Sequence, residues 1–259
     1  MPQHTPRKRF GQNFLHDKNI IQQIVNVISP DPGENIVEIG PGQGALTVPI
    51  LKLINKLNVI EIDRDLIPAL IERCADKGEL ITHEKDALEF DFNEIINIKK
   101  PIRVIGNLPY NISTPLIFHL LKFSENISDM HFMLQKEVVD RLAAKPSTSD
   151  YGRLSVMVQY HCDVESLFDV PPAAFYPPPK VTSSIVKLIP HKEVKYKVAN
   201  YQNFEKLVKA AFSMRRKTLR NSLKSFIKDE DWQKIQVDPK LRPEELSVED
   251  YTRISDYIN

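Results

Sequence analysis

Four consecutive residues, Asn107-Leu108-Pro109-Tyr110, combine the groups needed to hold a flat amine, and they follow the apolar run at 104–105. An Asn side-chain oxygen and a backbone carbonyl can each accept one N–H of an adenine amino group, which leaves the nitrogen lone pair directed at an incoming methyl group. Pro109 has no N–H and a fixed φ, so the turn is stiff and the Leu108 carbonyl stays available. Tyr110 offers a ring on which an extruded base can stack. These residues favour methylation of an amine, although an ordinary strand-to-turn junction has a similar composition.

A glycine turn upstream indicates a ligand that approaches the backbone closely. Gly40-Pro41-Gly42-Gln43-Gly44 follows a short apolar strand at 36–39 and precedes a segment that could open a helix. Glycines allow a tight turn and a close ligand approach, so Gly40 and Gly42 are candidate cofactor contacts. An NAD site is the rival interpretation. However, the spacing here is G-x-G-x-G, whereas the dinucleotide fingerprint is G-x-G-x-x-G, and an NAD site gives residues 107–110 no task.

Two acidic residues stand at the ends of the next two predicted strands. Glu61 ends the second strand, 17 positions after Gly44, and a carboxylate at such a place can take both ribose hydroxyls of a nucleoside. Asp86 follows the third strand, at 79–83, where it can accept from an adenine amino group. Ligands of open parallel sheets bind at the carboxyl ends of the strands, so these residues and Asn107 should line one crevice.

The elements that must position these residues alternate between strand and helix up to about residue 123, which is typical of a doubly wound parallel sheet. An amphipathic helix is predicted at 18–28, a fifth strand at 130–134, and a last pair at 164–168 and 184–188, close enough for an antiparallel edge. A polar linker begins at Pro190, and from about Tyr201 the pattern is wholly helical. We therefore predict an α/β domain over 1–192 and a small all-helical domain over 200–259.

The charge is distributed unevenly along the chain. The net charge is +1, but residues 1–179 carry −5 and residues 180–259 carry +6. Residues 206–228 contain eight cations and no acid. In the same region apolar residues, the last of which are Leu219, Leu223 and Phe226, recur at steps of three and four residues, as in a helix. This pattern predicts amphipathic helices with basic outer faces that bind RNA phosphates, although a merely solvated face is the common alternative. The candidate RNA contacts in this region are Arg215, Arg216, Lys217, Arg220 and Lys224. A second basic cluster, Arg7, Lys8 and Arg9, is either an arm that orders on RNA or a frayed terminus.

Composition narrows the class of protein. A chain of 259 residues with 42% hydrophobic and 27% charged residues fits a soluble globular protein. No stretch is long and apolar enough to suggest a membrane span, and residues 1–9 are polar and basic rather than signal-like. The two cysteines suit a reducing cytoplasm and cannot form a zinc site alone, and the histidines lack ligand spacing, so we expect no metal and a cytoplasmic location.

Several motifs in their joint order resemble the ribosomal RNA adenine N6-dimethyltransferases, a family of S-adenosylmethionine-dependent enzymes with a Rossmann-like class I fold. The resemblance covers nearly the whole chain, and each motif is only moderately specific alone. The motifs lie at 9–15, 38–44, 106–110, 134–138, 150–155, 175–181 and 215–221.

The resemblance implies roles for particular residues. Asn13 and Leu15 would help close the S-adenosyl-L-methionine site, joined by Gly40, Glu61, Asp86 and Asn107. Phe175, on a segment with five prolines in eleven residues, would sandwich the flipped adenine against Tyr110. The alternative for Phe175 is a rigid connection with the ring packed in the core.

The resemblance also implies the substrate. Two neighbouring adenosines near the 3′ end of 16S rRNA, in an immature 30S particle, would each receive two methyl groups, and the enzyme would take part in small-subunit biogenesis. We expect a monomer when the chain is free. Two alternatives remain open: a large-subunit rRNA adenine methyltransferase of the antibiotic-resistance type, and a non-catalytic ribosome assembly factor.

Overall fold

The computed structural model describes residues 12–96, 100–193, 195–214 and 216–258. Four predicted RNA contacts, Arg7, Lys8, Arg9 and Arg215, lie outside the described residues. In the described part, seven strands form one sheet and two short strands form a separate pair. In chain order the strands are β1 (Phe14–Leu15), β2 (Asn35–Ile39), β3 (Lys56–Ile60), β4 (Glu79–His83), β5 (Ile102–Asn107), β6 (Ile127–Gln135), β7 (Cys162–Val170), β8 (Phe175–Tyr176) and β9 (Ser183–Pro190).

The large sheet has the order β4-β3-β2-β5-β6-β9-β7. The first five strands in this order pair in parallel, and β9 pairs antiparallel with β6. The central strands are rich in Val and Ile, as expected for a sheet covered on both faces. The predicted mainly parallel seven-stranded sheet with an antiparallel edge is confirmed; β9 itself is second from the edge, and β7 lies outside it.

The register brings the predicted site residues to the same end of the sheet. Glu38 of β2 pairs with Ile105 of β5, so Gly40 and Asn107, each two residues later, stand at the same level. Ile60 of β3 pairs with Ile39, which places Glu61 directly beside the glycine turn. Parallel pairing thus aligns the carboxyl ends of the strands, where ligands of such sheets bind.

The described residues form ten α-helices, and the two ends of the first are explained by their capping residues. In chain order they are α1 (Lys18–Ile28), α2 (Thr47–Ile54), α3 (Ile67–Cys74), α4 (Ser113–Leu121), α5 (Lys136–Ala143), α6 (Arg153–Gln159), α7 (Tyr201–Ser213), α8 (Leu219–Ser222), α9 (Trp232–Ile235) and α10 (Val248–Tyr257). The α1 helix, confirmed at its predicted bounds, starts at Asp17, whose side chain accepts from two backbone N–H groups, and ends at Ser29 with φ 47°. Its buried face, with Ile24 and Ile28, joins the core of the sheet.

The described chain divides into two compact units. One consists of the described residues up to Val139 together with Glu165–Pro190, and the other of Asp140–Val164 together with the described residues from His191 onwards. The second unit includes α6 because this helix packs on α7: Arg153 pairs with Glu205, and the rings of Tyr160 and Phe204 lie 4.7 Å apart. This division places Asp140–Val164 with the helical part of the chain, whereas the predicted domain ranges are 1–192 and 200–259; those domain ranges stay a prediction.

The helical part of the second unit follows the predicted apolar pattern with one exception. Phe204, Leu207 and Val208 of α7 are buried, as is Leu219 of α8. Phe226 was expected on the buried face but is 37% exposed, while Ile227 is buried. The α8 helix ends at Ser222, so the helical spacing no longer decides which later side chain faces inward.

Two kinds of feature are absent from the part of the chain that the structure describes. None of the helices in that part combines the length and the apolar character needed to cross a bilayer. Within the same residues, no group of three or more His, Cys, Asp or Glu side chains is arranged to hold a metal ion.

Candidate active site

A cavity of about 330 Å³ lies at the carboxyl ends of β2, β3 and β5, within the first unit. This volume falls in the range of roughly 300–1,000 Å³ typical of small-molecule sites. The walls come from segments that are far apart in sequence: 12–15, 38–46, 60–62 with Leu66, 85–87 and 107–112. All the predicted cofactor residues, Asn13, Leu15, Gly40, Gly42, Glu61, Asp86 and Asn107, line it.

The glycine turn forms one wall and explains why glycine is needed there. Gly40 and Gly42 have φ of +67° and +54°, a region that residues with a Cβ rarely adopt. A Cβ on Gly42 would also lie 3.2 Å from the Phe14 ring, which crowds a wall of the cavity. The Gly40 N–H donates to the Ile60 carbonyl at 2.9 Å, which ties the turn to β3.

Glu61 is a carboxylate held in place by the backbone. Its side chain is 6% exposed, and it accepts from the N–H of Asp63 at 2.8 Å and from the N–H of Gly42 at 3.2 Å. Burial raises the pKa of Glu61, and the two backbone N–H groups oppose that rise. Each carboxylate oxygen can accept more than one hydrogen bond, so Glu61 retains acceptor positions toward the cavity. A fixed carboxylate in a cavity of this size fits the ribose of an adenosyl cofactor.

Asp86 and Leu15 complete this side of the cavity. Asp86 is half-buried, and its Oδ1 accepts from the N–H of Leu88 at 2.9 Å, which orients the carboxylate. Leu15 is buried in β1 and contributes an apolar surface. A carboxylate beside apolar walls is suited to a purine that carries an amino group.

Glu38 lines the cavity, although no individual role was predicted for it. It is buried in β2, and the Thr47 hydroxyl donates to it at 2.6 Å. Burial raises the pKa of Glu38 to about 7, while the Thr47 hydrogen bond lowers it. The signal in the sequence was a single acid within the apolar run Ile-Val-Glu-Ile.

Asn107 has its amide nitrogen occupied and its oxygen available. Nδ2 donates to the backbone carbonyl of Asn13 at 3.0 Å, which identifies Oδ1 as the other end of the amide. Among the described residues, no donor contacts Oδ1 of Asn107, and none contacts the Leu108 carbonyl. The Leu108 N–H donates to the Met133 carbonyl at 3.2 Å, which ties the turn to β6. Two acceptors from adjacent residues, at the wall of one cavity, can hold the two N–H groups of a flat amine.

Tyr110 lies at the wall of the cavity, whereas Phe175 is buried. Tyr110 lines the cavity, is half-buried, and exchanges a 2.8 Å hydrogen bond with the Ser183 hydroxyl. Burial raises the pKa of Tyr110, so the phenol stays neutral. Phe175 is only 3% exposed, belongs to the core cluster and is not among the residues that line the cavity. This burial corresponds to the core alternative, and the stacking role of Phe175 stays a prediction.

Gln12 and Asp63, to which the sequence assigned no individual role, link the N-terminal segment to the end of β3. Gln12 Nε2 donates to Asp63 Oδ2 at 2.8 Å, and Asp63 is 1% exposed. The signal that could have found Asp63 is its position two residues after Glu61, still at the end of a buried strand.

The predicted RNA contacts that are described belong to the second unit. Arg216, Lys217, Arg220 and Lys224 are all exposed. Arg220 pairs with Asp229 at 3.2 Å, and both side chains are more than half exposed, so this pair is weak and can be exchanged for a phosphate.

Comparisons with known proteins agree in both sequence and structure. A family model described as "Ribosomal RNA adenine dimethylase" matches residues 3–259. The "Ribosomal RNA small subunit methyltransferase A" of a Marinomonas species is 55% identical over 255 residues, covering 98% of this chain and 96% of that protein. The protein of the same description from Shewanella pealeana is 52% identical with the same coverage.

Solved structures share the fold. A dimethyladenosine transferase from Plasmodium falciparum superposes with a TM-score of 0.78 at 27% identity, covering 93% of this chain and 95% of that one. The 23S rRNA methyltransferase ErmE has a TM-score of 0.74 at 23% identity, covering 95% and 99%, and shares the fold. The predicted class I methyltransferase fold is thereby confirmed. Because the family model spans nearly every residue and the relatives are more than half identical, the chain belongs to the ribosomal RNA adenine dimethylase family.

Proposed function

We propose that this chain transfers methyl groups from S-adenosyl-L-methionine to the N6 amines of two adjacent adenosines near the 3′ end of 16S rRNA. The observation that carries the proposal is the Asn107 amide: Nδ2 is held by the Asn13 carbonyl at 3.0 Å, which leaves Oδ1 beside the Leu108 carbonyl as a pair of acceptors. The curated relatives are described as small subunit methyltransferases, which supports the choice of the small subunit.

The cofactor would be held by the residues at the strand ends. Methyltransferase families of this kind use S-adenosyl-L-methionine, which supplies the methyl group as a sulfonium when bound. Glu61 would accept from the ribose hydroxyls and Asp86 from the adenine amino group, since both carboxylates line the cavity. Gly40 and Gly42 would allow the close backbone approach, and Asn13, Leu15 and Asn107 would enclose the remaining side.

The chain's part in the reaction is alignment and electrostatic stabilisation. Asn107 Oδ1 and the Leu108 carbonyl would accept the two N–H groups of the target amine, which leaves its lone pair, perpendicular to the base, aimed at the incoming methyl group. Positive charge grows on the nitrogen during alkylation, and the two carbonyl dipoles stabilise it. No side chain has to act as a strong base, because the alkylated amine is acidic and loses its proton readily. Orientation of this kind can contribute about 7–11 kcal/mol.

The second methylation places a different demand on the same two acceptors. A monomethylated amine has one N–H left, so either Asn107 or Leu108 must give up its hydrogen bond. Both acceptors are held in place, Leu108 by the backbone and Asn107 by the Asn13 carbonyl, so we expect the base itself to rotate for the second transfer.

RNA binding is assigned to the basic surface of the second unit. Arg216, Lys217, Arg220 and Lys224 are exposed, and residues 206–228 contain no acid. Stacking of the flipped base is assigned to Tyr110. If five or six cations contact phosphates, the logarithm of affinity should fall with the logarithm of salt concentration with a slope of about −4 to −5. We place the activity in the cytoplasm, on immature 30S particles, with the free chain as a monomer.

The test is methylation of defined substrates. Unmethylated small subunits and, separately, large subunits are incubated with labelled cofactor, and the RNA is digested for nucleoside analysis. Dimethyladenosine in two adjacent positions near the 3′ end of 16S rRNA supports the proposal. Label confined to large-subunit RNA, or no label with intact binding to small subunits, would favour one of the two alternative functions instead.

A further inference from the structure

Residues Gln12–Leu15 form a segment, the N-terminal strap, that crosses from β3 to β8 along the cavity. Gln12 Nε2 donates to Asp63 Oδ2 at 2.8 Å, next to the end of β3. The Asn13 carbonyl accepts from Asn107 Nδ2 at 3.0 Å, at the end of β5. Phe14 and Leu15 pair antiparallel with β8. The strap therefore contacts both the cofactor side and the amine-holding side of the cavity through consecutive residues.

Asp63 is a buried carboxylate that the proposed reaction does not use. It is 1% exposed, and burial of a charged group is costly unless it is hydrogen-bonded. Its backbone N–H donates to Glu61 Oε1 at 2.8 Å, while its side chain accepts from Gln12 of the strap. Asp63 therefore connects the strap to Glu61, which lines the cavity.

The strap determines which end of the Asn107 amide is presented to a substrate. The oxygen and nitrogen of a carboxamide are nearly equal in size, so rotation by 180° exchanges an acceptor for a donor with little steric penalty. Among the described residues, the Asn13 carbonyl is the sole hydrogen-bond partner of Asn107 Nδ2. Without this carbonyl, the NH₂ group could turn toward the target amine, and two donors would face each other.

We propose that the N-terminal strap is a positioning element that locks Asn107 with its oxygen toward the substrate amine, and that Gln12 and Asp63 are the positioning residues that anchor it. Gln12 precedes Asn13 directly, so loss of the Gln12–Asp63 hydrogen bond removes a tether of the strap next to the residue whose carbonyl holds the amide. This inference rests on the proposed function, because it assigns Asn107 the role of acceptor.

The first test measures the Asn107 amide without any reaction. In the cofactor-free protein with labelled asparagine, hydrogen exchange of the Asn107 Nδ2 protons is followed by NMR for the wild type and Gln12→Ala. We expect exchange at least about tenfold faster in Gln12→Ala, because the amide opens when the strap is released. Gln22→Ala is the matched control, since Gln22 is exposed and donates its Nε2 to Asn26 on the surface of α1. Equal Asn107 exchange in all three proteins would overturn the proposal.

The second test uses kinetics at saturating cofactor. Gln12→Ala and Asp63→Ala should lower kcat by roughly 10- to 100-fold through misorientation of Asn107, while KM for RNA changes by less than about twofold. Asp63→Asn keeps an oxygen that can accept from Gln12, so it should retain most of the wild-type kcat and the slow amide exchange. An unchanged kcat in Gln12→Ala, or equal losses in Asp63→Asn and Asp63→Ala, would refute the anchoring role.

Failure of the inference can be told apart from failure of the proposed function. If the wild type methylates no rRNA but Gln12→Ala accelerates amide exchange, the proposed function is wrong and the anchoring of the amide stands. If the wild type is active and exchange does not respond, the inference fails and the proposed function stands.

Discussion

Replacing Asn107 by alanine removes one of the two proposed acceptors for the target amine and leaves the cations assigned to RNA binding unchanged. The deleted Oδ1 belongs to a dipole that is already oriented, because Nδ2 is fixed by the Asn13 carbonyl at 3.0 Å. A group of this kind stabilises charge that develops in the transition state without any cost of reorientation. The substitution therefore removes one oriented amide together with its hydrogen bond to Asn13.

The expected magnitude follows from comparable groups. Removal of a single preorganised dipole facing a developing charge costs about 2.7–4 kcal/mol, or roughly 10²- to 10³-fold in kcat. The Leu108 carbonyl remains, since the backbone and the Leu108 N–H bond to Met133 hold it in place. Binding to immature small subunits should change by less than about twofold, because the cations assigned to phosphate contacts are untouched.

The assay is single-turnover methyl transfer with labelled cofactor on unmethylated small subunits, paired with a filter-binding measurement on the same particles. Asn26→Ala is the control, because Asn26 is exposed on α1 and is not among the residues that line the cavity. A loss of less than about tenfold in rate would show that Asn107 is not an essential acceptor. An equal loss of binding and rate would show that the residue acts through RNA binding.

Three further predictions test other parts of the reasoning. Arg216→Glu combined with Arg220→Glu should weaken RNA binding and make the salt slope shallower by about two, while calorimetry with the cofactor detects no change; a matching loss of cofactor affinity would contradict the division of labour. Glu61→Gln should weaken cofactor binding by roughly tenfold to a hundredfold in calorimetry, because the amide NH₂ would face the N–H of either Gly42 or Asp63, which bond to different carboxylate oxygens; unchanged affinity would exclude the ribose role. Burial raises the pKa of Glu38 to about 7 in the folded protein, above its unfolded value of 4.5, so the folded state binds more protons between these values and stability falls as pH rises through that window, by up to about 3 kcal/mol. Urea unfolding of Glu38→Gln, which can still accept from Thr47, should show a flatter dependence on pH from about 5 to 7 than the wild type, and identical slopes would refute the linkage.

Short-range patterns predicted the parts of the fold that depend on local geometry. The apolar runs at 36–39 and 104–106 became β2 and β5, and Asp17 and Ser29 delimit α1 where the sequence placed it. The glycine turn was predictable because φ above zero favours residues without a Cβ. Glu61 could be placed beside it because parallel strands align their carboxyl ends.

Other features depend on which of two local solutions a side chain takes. Phe226 was expected on the buried face, but only the end of α8 at Ser222 decides that the adjacent Ile227 is the buried one. Phe175 could face a ligand or the core from the same proline-rich segment; the packed structure buries it in the core cluster, and its stacking role stays a prediction. The pattern of a single segment contains no information about which distant segment will pack against it.

The sequence by itself determined the order of strands and helices, the glycine turn, and which residues stand at strand ends, because these depend on a few neighbouring residues. Only the tertiary structure decided that Asn13 holds Asn107, 94 positions later, and that Gln12 holds Asp63, 51 positions later. Such contacts form when the sheet brings remote segments together, and their geometry is set by packing of the whole unit rather than by local preference. The orientation of the Asn107 amide, on which the proposed chemistry depends, is a property of this second kind.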